Sequence, residues 1–286
     1  MIRNRTIKIG IYVMIVLLII FQGLIVGVAA PKEYYLIYDW IFYAINYTII
    51  ISLCLLYRKK RYVRWIQWIL GLILLVANTT FFYYMGDVNV VVSKSKDNQH
   101  ELILKEYKKM NEETGRYKRR GFIFGKKVAA TLIGSSIYKT IEEDAYKIEW
   151  ISGDTAVVTY RKSHEGTLQQ RIFNFRSSDY ISHQYVAIGL TGKWLEQGNP
   201  KNYFMYDAGE IVYANDGQLY YYRVENTEQQ GISSIVIQGT GDKPSITVLL
   251  NSDCVFGDDG LIMDGGTITI SPITLEGSEG KVYYKE

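Results

Sequence analysis

The chain has 286 residues, a formal net charge of +3 and 48% hydrophobic residues, averages that join two unlike parts. Residues 1–85 hold nine Lys/Arg against two acids, a net of +7, whereas residues 86–286 hold 23 against 27, a net of −4. The first excess flanks apolar runs and the second part is acidic, which excludes a nucleic-acid binder; two cysteines, Cys54 and Cys254, exclude a disulfide scaffold of the small secreted kind.

Ile9 to Pro31, Trp40 to Tyr57 and Trp65 to Gly86 contain no charged residue. Each run approaches the roughly 20 residues that a helix needs to cross about 30 Å of hydrocarbon. This predicts transmembrane helices over 9–30, 36–57 and 65–85. Arg3, Arg5 and Lys8 precede the first run, and Arg58, Lys59, Lys60, Arg61 and Arg64 separate the second from the third. The loop 31–39 has one base, Lys32. By the positive-inside rule the basic flanks lie in the cytoplasm. Residues 1–85 then form a three-helix anchor in the plasma membrane with a cytoplasmic N-terminus, and 86–286 an extracytoplasmic domain. Val28, Ala29 and Ala30 offer small residues as a signal-peptide cleavage site would, but the run is longer than an h-region and Pro31 follows, so the first helix is expected to be retained.

Gly23 and Gly27 have the GxxxG spacing that lets helix backbones approach. Tyr34, Tyr35, Tyr38 and Trp40, then Trp65 and Trp68, then Phe81 to Tyr84 gather where membrane would meet water. Asn46, Gln67, Asn78, Thr79 and Thr80 are polar within the runs, and none is ionisable. Hydrogen bonds between helices are their expected role, and no conduction path is assigned.

Beyond Gly86 the period shortens. Strands are predicted at 88–93, 101–108, 117–124, 128–133, 145–151, 156–161, 168–175, 185–190, 210–214, 218–224, 233–238, 245–250, 261–263 and 267–271. Glu113 to Gly115, Ser152 to Thr155, Asn215 to Gly217, Gly239 to Asp242 and Asp258 to Gly260 read as turns, and Gly125 separates the strands 117–124 and 128–133. Many short strands and no long helix predict an all-β domain of the sandwich type. The looser texture at 177–202 leaves open one β unit or two lobes.

The three histidines, His100, His164 and His183, form no ligand pair. There is no GxSxG, SxxK, HExxH or Walker loop, so no catalytic residue, cofactor or metal is assigned. Asp253, Asp258, Asp259 and Asp264 match no EF-hand spacing and read as turn residues. The strongest local charge is Arg116, Lys118, Arg119, Arg120, Lys126 and Lys127 around Phe122, Ile123 and Phe124. It suits contact with anionic lipid headgroups or wall polymers, and equally a solvated strand face. Fifteen tyrosines follow Gly86; set at alternate strand positions they pack on a sheet or form a sugar- or partner-binding face. The expected function is display of a non-catalytic β domain at the cell envelope for binding or accessory work, with the bilayer and a membrane-protein partner as neighbours. The alternatives are a membrane-tethered envelope enzyme without a linear motif and a membrane immunity or sensor component. An enzyme would need a deep pocket of converging carboxylates, and a binding module a flat or grooved aromatic face.

Overall fold

The computed structural model describes residues 5–56, 60–133, 137–176, 185–277 and 279–286. Arg3, Arg58, Lys59 and His183 lie outside them, as does the 177–184 part of the loose stretch. The chain divides into two compact units, Met1–Ser93 with Glu101–Glu143, and Lys94–His100 with Asp144–Glu286. Gly86, where the apolar runs end, falls inside the first, and residues 185–202 fall inside the second.

The first unit begins with α1, Arg5–Leu24, which continues through a π turn, Ile25–Ala29, and a 3-10 turn, Ala30–Lys32. Next come β1, Tyr34–Leu36, then α2, Trp40–Leu55, and α3, Arg61–Phe81, which ends in a π turn at Phe82–Gly86. Two helical stretches, Arg5–Lys32 and Arg61–Gly86, are long and apolar enough to cross a membrane. The middle helix is shorter than 36–57 because the chain first extends as β1. Its 16 residues rise about 24 Å, less than the 30 Å of hydrocarbon.

Hydrogen bonds tie the helices together: Gln22 Nε2 donates to Asn46 Oδ1 (2.8 Å), and Asn46 Nδ2 to Asn78 Oδ1 (2.9 Å). Gln67 Nε2 donates to the last carbonyls of α2, at Leu53, Cys54 and Leu56, satisfying acceptors that a helix end leaves open. Thr80 instead bonds within its own helix, to the Val76 carbonyl.

A five-stranded sheet completes this unit, in the order β1–β5–β4–β3–β2, with β2 Val88–Lys94, β3 Glu101–Tyr107, β4 Thr114–Arg120 and β5 Phe124–Ile133. The break expected at Gly125 between two strands comes earlier, around Gly121, whose φ of +75° suits glycine, and β4 begins at Thr114, inside the turn expected at 113–115. Gly125 lies inside β5 for another reason. A Cβ there would meet Tyr117 Cβ at 3.2 Å and Ile37 Cγ1 at 3.4 Å. Its missing side chain lets the α1–α2 loop lie against the sheet.

The second unit has a three-stranded antiparallel sheet, β6 Tyr146–Ser152, β7 Thr155–Arg161 and β8 Leu168–Asn174. A single helical turn follows, α4 Val186–Gly189. Then come β9 Gly192–Glu196, β10 Asn199–Asp207, β11 Glu210–Asn215, β12 Gln218–Arg223, β13 Thr227–Gln229, β14 Ser234–Ile237, β15 Ile246–Leu250, β16 Thr267–Pro272 and β17 Lys281–Lys285. These nine form one antiparallel sheet, β12–β11–β10–β9–β17–β16–β15–β14–β13, which curls into a nearly closed barrel. The β architecture is therefore barrel-like and not the sandwich expected. Alternate residues of eight strands, among them Trp194, Phe204, Ile211, Tyr222, Ile237, Val248, Ile270 and Tyr283, meet in one core.

The 185–190 run forms α4 and not a strand, because Val186 and Leu190, four apart, both enter that core. At 261–263 there is only a bridge, Phe256 to Ile262. The three-stranded sheet lies along β14 and β15, where Gln230 Nε2 donates to the Gln170 carbonyl (2.8 Å) and Asn174 Nδ2 to Ser233 Oγ (2.9 Å).

Candidate functional site

The β4–β5 pairing decides where the predicted cations go. Arg116 faces Val128, Lys118 faces Lys126, and Arg120 faces Phe124. Strand alternation therefore puts Arg116, Lys118, Arg120 and Lys126 on one face of the sheet. Arg119 and Lys127 share the other face with Tyr117, which packs with Ile37 and Ile103. The six bases are divided between two faces. Arg119 grips Glu101 with two bonds, Nε to Oε1 at 2.7 Å and Nη2 to Oε2 at 3.2 Å. Hydrogen bonding to Glu101 holds its pKa above the ordinary value. Lys126 stands 3.9 Å from Glu33 and Lys127 4.0 Å from Glu112, exposed pairs of small worth. Arg116 is half-buried, and burial lowers its pKa.

On the face turned to the helices, β3 carries Lys105, which is fully buried. Its ammonium donates to the Leu36 carbonyl at 2.8 Å and to Asp39 Oδ2 at 2.9 Å. It also stands 5.0 Å and 5.3 Å from the ring centres of Tyr117 and Tyr107, close enough for cation–π attraction. Asp39 is the N-cap residue of α2, where the helix dipole favours an anion. Burial raises Asp39 while Lys105 opposes the shift, and burial lowers Lys105. The tyrosine hydroxyls are raised by burial and by Asp39. Beside them opens a cleft of about 390 Å³, with Ile25, Val26, Phe42 and Met85 on the helix side and Tyr107, Glu112, Tyr117 and Lys127 on the sheet side. Asp39 already serves Lys105 and Tyr107, so it is a committed anchor and not a free base.

The second unit presents a different surface. Leu219 pairs with Ala214, Ala214 with Tyr203, Tyr203 with Leu195, and Leu195 with Tyr284. These residues form a row across five strands on the side away from the barrel core. A second row runs Tyr221, Val212, Met205, Lys193. Leu219, Tyr221 and Tyr284 are exposed. Lys193 stands 5.4 Å over the Tyr203 ring and pairs with Glu286 at 2.7 Å. The result is an apolar and aromatic outer face with a charged border, in which Ala214 and Val212 are buried. At one end of the barrel Lys281, Asn202 and Tyr283 all bond Glu196 Oε2; the lysine fills the place a cation would take.

The chain matches no protein-family model, no curated protein and no solved structure. The geometry alone must carry the functional argument.

Gly23 and Gly27 point outward, with no atom within 4 Å of where a Cβ would stand; neither touches α2 or α3. No group of three or more His, Cys, Asp or Glu able to hold a metal occurs among the described residues. Sequence reasoning missed Lys105, Tyr107 and the outward row. Lys105 stands inside ELILKEYK, where the charge looked like the polar beat of a strand. For the row the signal was present in YFMYD and QLYYYR, two tyrosine-rich runs within 20 residues of each other.

Proposed function

We propose that this is a multi-pass plasma-membrane protein that displays non-catalytic β structure outside the cell for binding or accessory work at the envelope. The row Leu219, Ala214, Tyr203, Leu195, Tyr284, exposed at its two ends, with exposed Tyr221 beside it, carries this reading. A monomer has little reason to keep such a face in water, and such patches mark interaction sites. Three spans and an outward β portion are part of the proposal. Leu17 and Leu72 are 60% and 63% exposed, as side chains turned to lipid would be. The bonds from Gln22 through Asn46 to Asn78 join all three helices in the halves nearer the sheet, a role suited to polar groups within the bilayer. The pairing of β1 with β5 puts the α1–α2 loop at the same end of the bundle as the sheet, as two outward segments require.

The test is a pull-down of isolated envelope polymer and envelope proteins by the full chain in nanodiscs. Leu219→Ser, Tyr221→Ser and Tyr284→Ser together should abolish capture without changing the melting temperature. Capture unchanged by the three substitutions, or absent from the unmodified chain, would sink the reading.

A further inference from the structure

We propose that the tip of the β4–β5 hairpin is a second membrane contact, with Phe122 seated in the headgroup layer of the bilayer that holds the helices. The inference rests on the membrane reading of the helices. Phe122 is 96% exposed, which leaves a whole phenyl ring without a partner among the described residues. The tip around it is nonetheless well fixed. Arg119 Nη1 donates to the Phe122 carbonyl at 3.2 Å while its other nitrogens hold Glu101. The Ile37 amide donates to the Ile123 carbonyl at 2.8 Å, and Leu36 pairs with Phe124.

These bonds set the depth of the tip. Three residues beyond Ile37 the chain becomes α2 at Trp40. Three residues span at most about 10 Å, and the headgroup layer on each side is about 5–8 Å deep. Tyr38 and Trp40, 37% and 55% exposed, are the amphipathic rings that favour this layer. The chemistry of the tip agrees. From Lys118 to Lys127 there are five bases and no acid, so an anionic headgroup meets attraction wherever the tip touches it. An exposed aromatic ring between cations is how a peripheral segment combines apolar insertion with charge. Lys118, Arg120 and Lys126 on the far face of the sheet add long-range attraction without each touching a phosphate.

The experiment uses the full chain, with Cys54 and Cys254 replaced by alanine and Phe122→Cys carrying an NBD label, in nanodiscs containing phosphatidylglycerol. Lipids spin-labelled near the headgroup should quench the label about twofold, while aqueous iodide should quench it weakly. Iodide quenching without lipid quenching, or protection from both, would overturn the inference. A p-benzoylphenylalanine at position 122 in the chain with its own cysteines supplies the second measurement. Irradiation should attach phospholipid there, and its absence overturns the inference. Alkaline extraction of the chain from membranes separates the two ideas. A chain that washes off loses the membrane reading and this inference together, whereas a chain that stays without lipid contact at 122 loses only the inference.

Discussion

Lys105 shows how one residue can commit two parts of a chain to each other. Its ammonium lies among side chains that exclude water, and among the described residues the anion bonded to it is Asp39, 66 positions away. Removing one partner of a buried ion pair leaves the other charge uncompensated, which costs roughly 3–5 kcal/mol, whereas replacing both with apolar or neutral groups is often near neutral. Lys105→Met alone should therefore lower thermal stability in detergent sharply, and adding Asp39→Asn should restore much of the loss. Equal melting temperatures for the single and double variants would mean that the pair does not couple. Cys254 gives a second residue-scale expectation. Burial pushes its thiol up to about 11, and Sγ donates to the Thr267 carbonyl at 3.0 Å. At pH 8 about 0.1% is thiolate, the only reactive form. Maleimide should label the folded chain slowly, and about tenfold faster for each pH unit gained below that value. Rapid labelling at pH 7, read by mass spectrometry, would show that the thiol is not buried.

At the scale of elements, Gly125 is the position where a small change should do most. Gly125→Val would force branched methyls against Tyr117 and Ile37, and overpacking of this kind costs typically about 1–3 kcal/mol. The strand pushed aside would be β1, so limited proteolysis should cut the 31–39 loop faster in the variant; unchanged protection would show that β1 does not depend on this contact. The same glycine explains where the sequence was legible and where it was not. Strands with plain alternation or turn chemistry at their ends, such as β7, β8, β11 and β12, could be read directly. A glycine that admits a neighbour and a glycine that interrupts a strand look alike in sequence, which is why 117–124 and 128–133 read as separated at Gly125. Within the loose stretch 177–202, residues 192–202 hold β9 and the start of β10, the fourth and third strands of the nine-stranded sheet, because Trp194, and Phe204 just beyond, enter the core between residues of turn-like composition. Of the candidate sites, the basic segment was visible as charge but its division between faces needed the register. The pair of Lys105 with Asp39 is a contact between distant segments, which no local pattern encodes.

At the scale of the whole molecule, orientation is the property that everything else depends on. A reporter fused after Glu286 should behave as exported, with alkaline phosphatase active there and a cytoplasmic reporter silent. The reverse pattern would place the β structure inside the cell and remove the envelope reading. The pairing of β1 with β5 also bears on how the chain is made. Leu36 must wait for Phe124, which is on the order of ten seconds behind it during synthesis. Until then β1 has no strand to pair with. Under the proposed three-span topology, β1 and β5 meet only when α2 and α3 leave both strands on the same side of the membrane. On that proposal the sheet would serve as an assembly checkpoint, since a chain whose helices put β1 and β5 on opposite sides would keep a bare strand edge and leave Asp39 without Lys105.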